Sequence, residues 1–242
     1  MLKQLSRTLL GIFAALAFAV SANAQSLTMM NIGGAGSARV STLCANVSHT
    51  SVSGSTSDTF TATSICSADP TRVLLIGVGA ASSSGTSPTT LSVTVGGVSA
   101  TSVITLNSGT ANMLGVFAVP VASGTTATVV VTLTGGTTSS IAGGVMIWAV
   151  YGLSSTTATA TNSGTGTSYS IAAAFNGSSI LYAGNTNSPA PSFTFCAAQT
   201  QQVGGGRFYA GCLVNPVTGS SVSGTITYGA GTNDAFTGAS FF

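Results

Sequence analysis

Apolar and small polar residues alternate through Ser92-Val93-Thr94-Val95, meet Gly96-Gly97, and resume through Val98-Ser99-Ala100-Thr101. Two glycines between alternating runs form a two-residue hairpin loop, because both take φ > 0 without a Cβ clash. Residues 113–119 and 127–133 follow, separated by a polar loop with Pro120, Ser123 and Gly124, and read as a second strand pair. Four strands so closely spaced are the rhythm of a β-sandwich.

The rest of the chain repeats the theme. Residues 72–79 are apolar at consecutive positions, the mark of a strand buried on both faces, and so predict a central strand. Residues 142–151 have the same character, and their β-branched and aromatic content between glycines favours strand over helix. Asn176-Gly177, between residues 169–175 and 179–183, is the strongest short hairpin signal in the chain. Residues 193–196, 207–213, 222–228 and 235–241 add further strands, and residues 27–32 read as a first one. Residues 40–70 are rich in Ser and Thr with few apolar positions, so Cys44 and Cys66 are expected to supply the order that packing does not. Residues 154–168 read as a Ser/Thr/Gly loop. No amphipathic helix with caps and no fixed-period repeat is found. The pattern predicts an all-β fold, a two-sheet antiparallel β-sandwich of jelly-roll or immunoglobulin-like topology.

The N-terminus adds a destination. Lys3 and Arg7 precede an apolar run over residues 9–20, and Ala22-Asn23-Ala24 supplies a small-residue cleavage site. This is the order of a secretory signal peptide over residues 1–24, and the run is too short for a membrane span. Residues 25–242 are then expected to form a single β-sandwich domain in the periplasm, at the cell surface or outside the cell, with no membrane span. Beyond residue 24 the charged residues are Arg39, Arg72 and Arg207 against Asp58, Asp69 and Asp234, a balance of zero, with neither Lys nor Glu. The whole-chain charge of +2 therefore belongs to the leader, and no nucleic-acid partner is expected. With 44% apolar residues the chain has the material for a core, so its low charge does not signal disorder. A surface of Ser, Thr, Asn and Gly without charge repulsion makes self-association physically easy.

Four cysteines in an exported chain predict two disulfides in any of three connectivities, of which Cys44–Cys66 with Cys196–Cys212 is favoured because it closes two short loops. Each loop of that size is worth about 3 kcal/mol in the chain-entropy account. A zinc site is disfavoured because there is no Cys-x-x-Cys pair and only one histidine.

Other motifs are weaker still. Gly77-Val78-Gly79 at the end of an apolar strand imitates a dinucleotide fingerprint, but no helix and no acidic residue follow where the cofactor needs them. No cofactor is expected. His49 with Asp58 and a serine is the material of a hydrolytic triad, yet no Gly-x-Ser-x-Gly elbow exists, and His49 reads as part of a solvated loop. Three scattered aspartates do not form a glycosidase pair or an acidic calcium site. Trp148 lies among Met146, Ile147 and Val150 and reads as core. Arg207, Phe208 and Tyr209 follow Gly204-Gly205-Gly206 and form the candidate ligand loop, the alternative being a long turn closed by Cys196 and Cys212.

The succession of residues 91–101, then 117–126, then 145–152 resembles a β-sandwich domain of phage and prophage proteins, over about 110 residues from Arg72 to Tyr182 and more loosely to 235–241. The resemblance implies a virion-surface or tail-associated accessory domain. This chain departs from it in carrying a leader and cysteines, which favours an exported relative of the same domain. The expected function is accordingly that of a non-enzymatic, exported structural or adhesion protein acting through self-association or packing against a surface. The alternatives are a carbohydrate-binding module for a cell-surface glycan, built on the Arg207–Tyr209 loop, and a phage virion accessory protein.

Overall fold

The computed structural model describes residues 41–49, 52–53, 55–82, 88–107, 112–135, 140–153, 155–165, 168–173, 178–185, 191–194, 199–203, 207–214, 222–228 and 235–241. Residues 1–24, the segment 27–32, Asn176-Gly177, Cys196 and Gly204–Gly206 lie outside them. The first ten strands are β1 (Ser41–Ser48), β2 (Val52–Ser53), β3 (Ser57–Ser64), β4 (Arg72–Ser82), β5 (Thr90–Val95), β6 (Val98–Ser99), β7 (Thr101–Asn107), β8 (Asn112–Pro120), β9 (Thr126–Thr134) and β10 (Ser140–Tyr151). The remaining eight are β11 (Ala160–Thr165), β12 (Ser168–Ala173), β13 (Ser178–Asn185), β14 (Ser192–Phe193), β15 (Gln199–Val203), β16 (Arg207–Val214), β17 (Val222–Thr227) and β18 (Ala235–Phe241). Every pairing between them is antiparallel. The fold is all-β and antiparallel, as the pattern predicts, but the described strands form four sheets where a two-sheet sandwich is expected.

The central sheet runs β1-β10-β4-β8-β7, with β2 also pairing β10, and the outer sheet runs β3-β9-β5-β6. Two more sheets, β11-β18-β13-β16-β15 and β12-β17-β14, come from the second half of the chain. Parity along the central strands sorts their side chains into two cores. Leu74, Ile76 and Val78 on β4, with Phe117 and Val119 on β8 and Val145, Ile147 and Ala149 on β10, meet Val93, Val129, Val131 and Leu133 of the outer sheet. The intervening Leu75, Val116, Met146, Trp148 and Val150 form the second core with Tyr209, Ala239 and Phe241 of the β11–β15 sheet. Registry keeps the parity consistent: Ile76 lies opposite both Ile147 and Phe117, and Leu75 opposite both Trp148 and Ala118. Strands covered on both faces need apolar residues at every position, which is why residues 72–79 read as central. Trp148 is core, as its neighbours suggested.

The same logic corrects two pairings. Residues 113–119 and 127–133 are not a hairpin: β8 joins β7 and β4 in the central sheet, while β9 joins β3 and β5 in the outer one. β8 is apolar at successive positions and suits a two-sided environment, whereas β9 alternates and suits one buried face. The loop between them therefore crosses from sheet to sheet. Likewise β12 pairs β17 and β13 pairs β16 and β18, so the strands flanking Asn176-Gly177 belong to different sheets. The Gly96-Gly97 hairpin is present as read, with φ of 58° and 82° and Val95 opposite Val98. Residues 40–70, poor in apolar positions, hold three strands, and β11 occupies part of the segment read as a loop.

Arg72 governs the crossings. It is 1% exposed at the first position of β4. Its guanidinium donates to the carbonyls of Ile65, Cys66 and Ser67 on one side and of Val121, Ser123 and Gly124 on the other, at 2.6–3.0 Å. The first three lie in the connection leaving β3 and the others in the connection from β8 to β9, so one side chain ties both crossovers. Five fixed N–H donors make Arg the residue able to satisfy so many carbonyls at once. Cys66, at φ 62°, takes the left-handed conformation that bends its segment around the guanidinium.

The glycine at 79, which imitates a cofactor loop in sequence, is a notch inside β4. A Cβ there would overlap the ring of Tyr209, whose hydroxyl donates to Asn112 Oδ1 at 2.7 Å. Gly79→Ala is expected to destabilise the protein by about 2 kcal/mol, as overpacking of a closed core does, measured by urea unfolding of the oxidised protein.

Candidate functional site

β1 and β3 are edge strands of the central and outer sheets on the same side of the sandwich, and the best-defined polar chemistry lies along the seam between them. At one end Cys44 bonds Cys66. Cys44 sits in a bulge, where the β1–β10 registry shifts between Leu43 and Ala45. Bulges re-aim a side chain out of the regular alternation, and here the re-aimed sulfur reaches the end of β3. This disulfide is the first of the two read from sequence. Cys212 is also disulfide-bonded, while Cys196 is outside the described residues.

At the other end of the seam His49 Nδ1 lies 2.5 Å from Asp58 Oδ1. A carboxylate only accepts, so the imidazole donates to it through Nδ1. Asp58 is fully buried, whereas the His49 side chain is 44% exposed. Two further contacts fix the pair. The imidazole stacks on Phe60 with ring centroids 4.4 Å apart, and the His49 backbone N–H donates to the Gly143 carbonyl at 2.9 Å. The second oxygen of Asp58 has no hydrogen-bond partner among the described residues, and it lies where only a glycine at 143 leaves room: a Cβ there would stand 2.8 Å from it. The sequence offered the two residues as triad material with His49 in a solvated loop. The structure joins them, seals the sandwich edge with them, and among the described residues places no hydroxyl on Nε2. Chemically the described residues form an oriented imidazole–carboxylate pair.

The candidate ligand loop fares differently. Tyr209 is completely buried against Gly79 and Asn112, so its ring is not a platform for a ligand. Arg207 and Phe208 lie in β16 opposite Val203 and Gln202, and their side chains are outside the described part of the structure. Of the three residues, only Tyr209 has a defined environment, and it belongs to the second core.

Asp69 closes a small turn, accepting from the Thr71 hydroxyl at 2.6 Å and from the Thr71 backbone N–H at 2.7 Å. These bonds, with the Arg72 charge assisting and partial burial opposing, hold its carboxyl below the ordinary value. A depressed carboxyl stabilises the fold above its unfolded pKa, and that contribution fades as pH falls through the lowered folded value.

The outer face of the β3–β9–β5 sheet, opposite the core, is the feature that motif reading did not find. Registry sets Ser92, Thr132 and Ser57 in one row across the three strands, and Thr94, Val130 and Thr59 in the next. Thr90 and Thr134 stand opposite one another beyond the first row. Two of these cross-strand pairs are hydrogen-bonded: Ser57 with Thr132 at 2.8 Å, and Thr90 with Thr134. No charged residue stands in these rows. The period-2 placing of Thr and Ser on residues 90–94 and 126–134 was a legible signal; that the two segments are neighbours was not.

Comparison with protein-family models, with curated proteins and with solved structures finds no match for the chain.

Removing the imidazole while leaving the buried carboxylate is expected to be costly. His49→Ala should lower stability by about 2 kcal/mol, the scale of a hydrogen bond to a charged group. The same substitution in an Asp58→Ala background should cost much less, and urea unfolding of the four proteins in this double-mutant cycle measures the difference.

Proposed function

We propose that the protein is exported and acts without catalysis, as a structural or adhesion module that packs against neighbouring copies or a cell surface. One observation carries the reading: the charged side chains with a described environment are occupied in holding the fold. Arg72 binds six carbonyls, Asp58 is buried under His49, and Asp69 is bonded to Thr71. Among the described residues, what faces solvent is mainly Ser, Thr and other small residues, with Val98 the large apolar side chain most open to it at 52%. Such a surface offers hydrogen-bonding area without like-charge repulsion. The leader over residues 1–24 supports export, and a disulfide with no long apolar helix among the described residues is compatible with it.

Sedimentation velocity of oxidised protein spanning residues 25–242, over a range of concentration and salt, tests the reading. Growth into a defined oligomer, or partition with an envelope fraction, is expected to change little with ionic strength because few charges are involved. A strict monomer that leaves the envelope fraction unbound overturns it.

A further inference from the structure

We propose that the start of β1, Ser41–Cys44, is a strap latched by the Cys44–Cys66 disulfide, and that reduction releases it from the edge of β10. This goes beyond the packing reading and holds whatever the protein packs against. The two ends of the bond differ in how firmly the fold holds them without it. On the Cys66 side the chain is anchored several times over. Ile65 is buried in the first core, and its backbone N–H donates to the Thr125 carbonyl at 2.9 Å. The carbonyls of Ile65, Cys66 and Ser67 all accept from Arg72, and Ser67 accepts from the Tyr151 hydroxyl as well, at 3.1 Å.

The Cys44 side rests on a shorter footing. β1 is the edge strand of the central sheet. Its first residues have three ladder positions, Ser41 opposite Val150, Thr42 opposite Ala149 and Leu43 opposite Trp148, before the bulge at Cys44 breaks the registry. All three are half-buried. Past the bulge the strand has anchors of its own: Ala45 lies in the first core, Asn46 Nδ2 donates to the Thr200 carbonyl at 3.0 Å, and His49 bonds Gly143 and Asp58. A short edge segment set apart by a bulge is an element that opens locally while the rest stays folded. The disulfide ties this weak end to a strong one.

Both cysteines are half-buried, outside the sealed interior, and access is one condition for thiol–disulfide exchange. The co-reactant is a dithiol. One of its thiolates attacks a cysteine sulfur, the S–S bond breaks with its electron pair on the other cysteine, and the second thiolate displaces the first cysteine from the mixed disulfide. The dithiol ends as a disulfide, and its two protons and two electrons end on Cys44 and Cys66 as thiols. Lifting the strap uncovers the β10 edge from Trp148 to Val150, and an open edge is a template for another strand. Oxidation therefore closes the margin, and reduction opens it.

The chain carries its own reporter. Trp148 is its single tryptophan, and it lies opposite Leu43, which packs against the same core. Hydrogen exchange and acrylamide quenching of Trp148 are compared in oxidised protein spanning residues 25–242, in the same protein after dithiothreitol, and in the Cys44→Ser/Cys66→Ser double variant, which keeps the bond to Cys212. In both unlatched forms exchange over residues 41–44 is expected to rise about tenfold or more, with protection retained over residues 65–67 and 72–82. Trp148 should become more open to the quencher, and reoxidation of the parent should restore it. The proposal is overturned if exchange over residues 41–44 is unchanged, or if the rise falls on residues 65–67 instead. Loss of protection over residues 72–82 in the double variant also overturns it, because the bond then holds the whole fold. If that variant does not fold when produced, the folded parent under dithiothreitol decides by the same criteria.

Discussion

The central sheet is apolar on both faces, and both faces have to be covered. Leu74, Ile76 and Val78 point one way along β4, and Val73 and Leu75 the other, all buried. Each such side chain gains about 2 kcal/mol by leaving water, so a sheet covered on one side only would forfeit the gain along every strand. The outer sheet covers one face and the sheet of β11, β18, β13, β16 and β15 the other. Much else follows from this demand. The chain must shuttle between layers, β3 outer, β4 central, β5 and β6 outer, β7 and β8 central, β9 outer, β10 central. Gly79 must be a glycine because Tyr209 arrives from the far side.

Shuttling creates two problems that polar groups solve. Crossovers carry backbone carbonyls into the margin of the core, where an unpaired acceptor is costly. Arg72 answers for six of them, and its charge is distributed over carbonyl dipoles, with no carboxylate in direct contact with its guanidinium among the described residues. Sandwich edges are the second problem, since an open edge invites another strand. Along β1 and β3 the bulge at Cys44, the disulfide, the inward carboxylate of Asp58 and the stacked His49 close the margin together. A buried charge on an edge strand and a bulge beside it are recognised means of blunting an edge. That account gives the His49–Asp58 pair a structural purpose independent of proton transfer.

The surface that results is defined by what the interior has absorbed. The charged side chains with a described environment, Arg72, Asp58 and Asp69, are occupied within the fold, and the outer face of β3, β9 and β5 carries hydroxyls in register around Val130.

The one-dimensional pattern determined what depends on near neighbours in the chain. Alternation and glycine pairs mark strands and the Gly96-Gly97 turn; consecutive apolar residues mark 72–79 as buried on both faces; cysteine count and spacing favour, among three connectivities, the one that contains the Cys44–Cys66 bond. Each is legible because it follows from local backbone freedom or from burial averaged over a strand. Tertiary structure decided who faces whom. Residues 113–119 and 127–133 are close in sequence yet lie in different sheets, His49 and Asp58 meet only because β1 and β3 share a margin, and Tyr209 turned inward because Gly79 made room for it. The hydroxyl face needed the registry of three strands drawn from residues 57–134. Local propensity is silent on all of these, since pairing between layers is settled by which faces must be buried together.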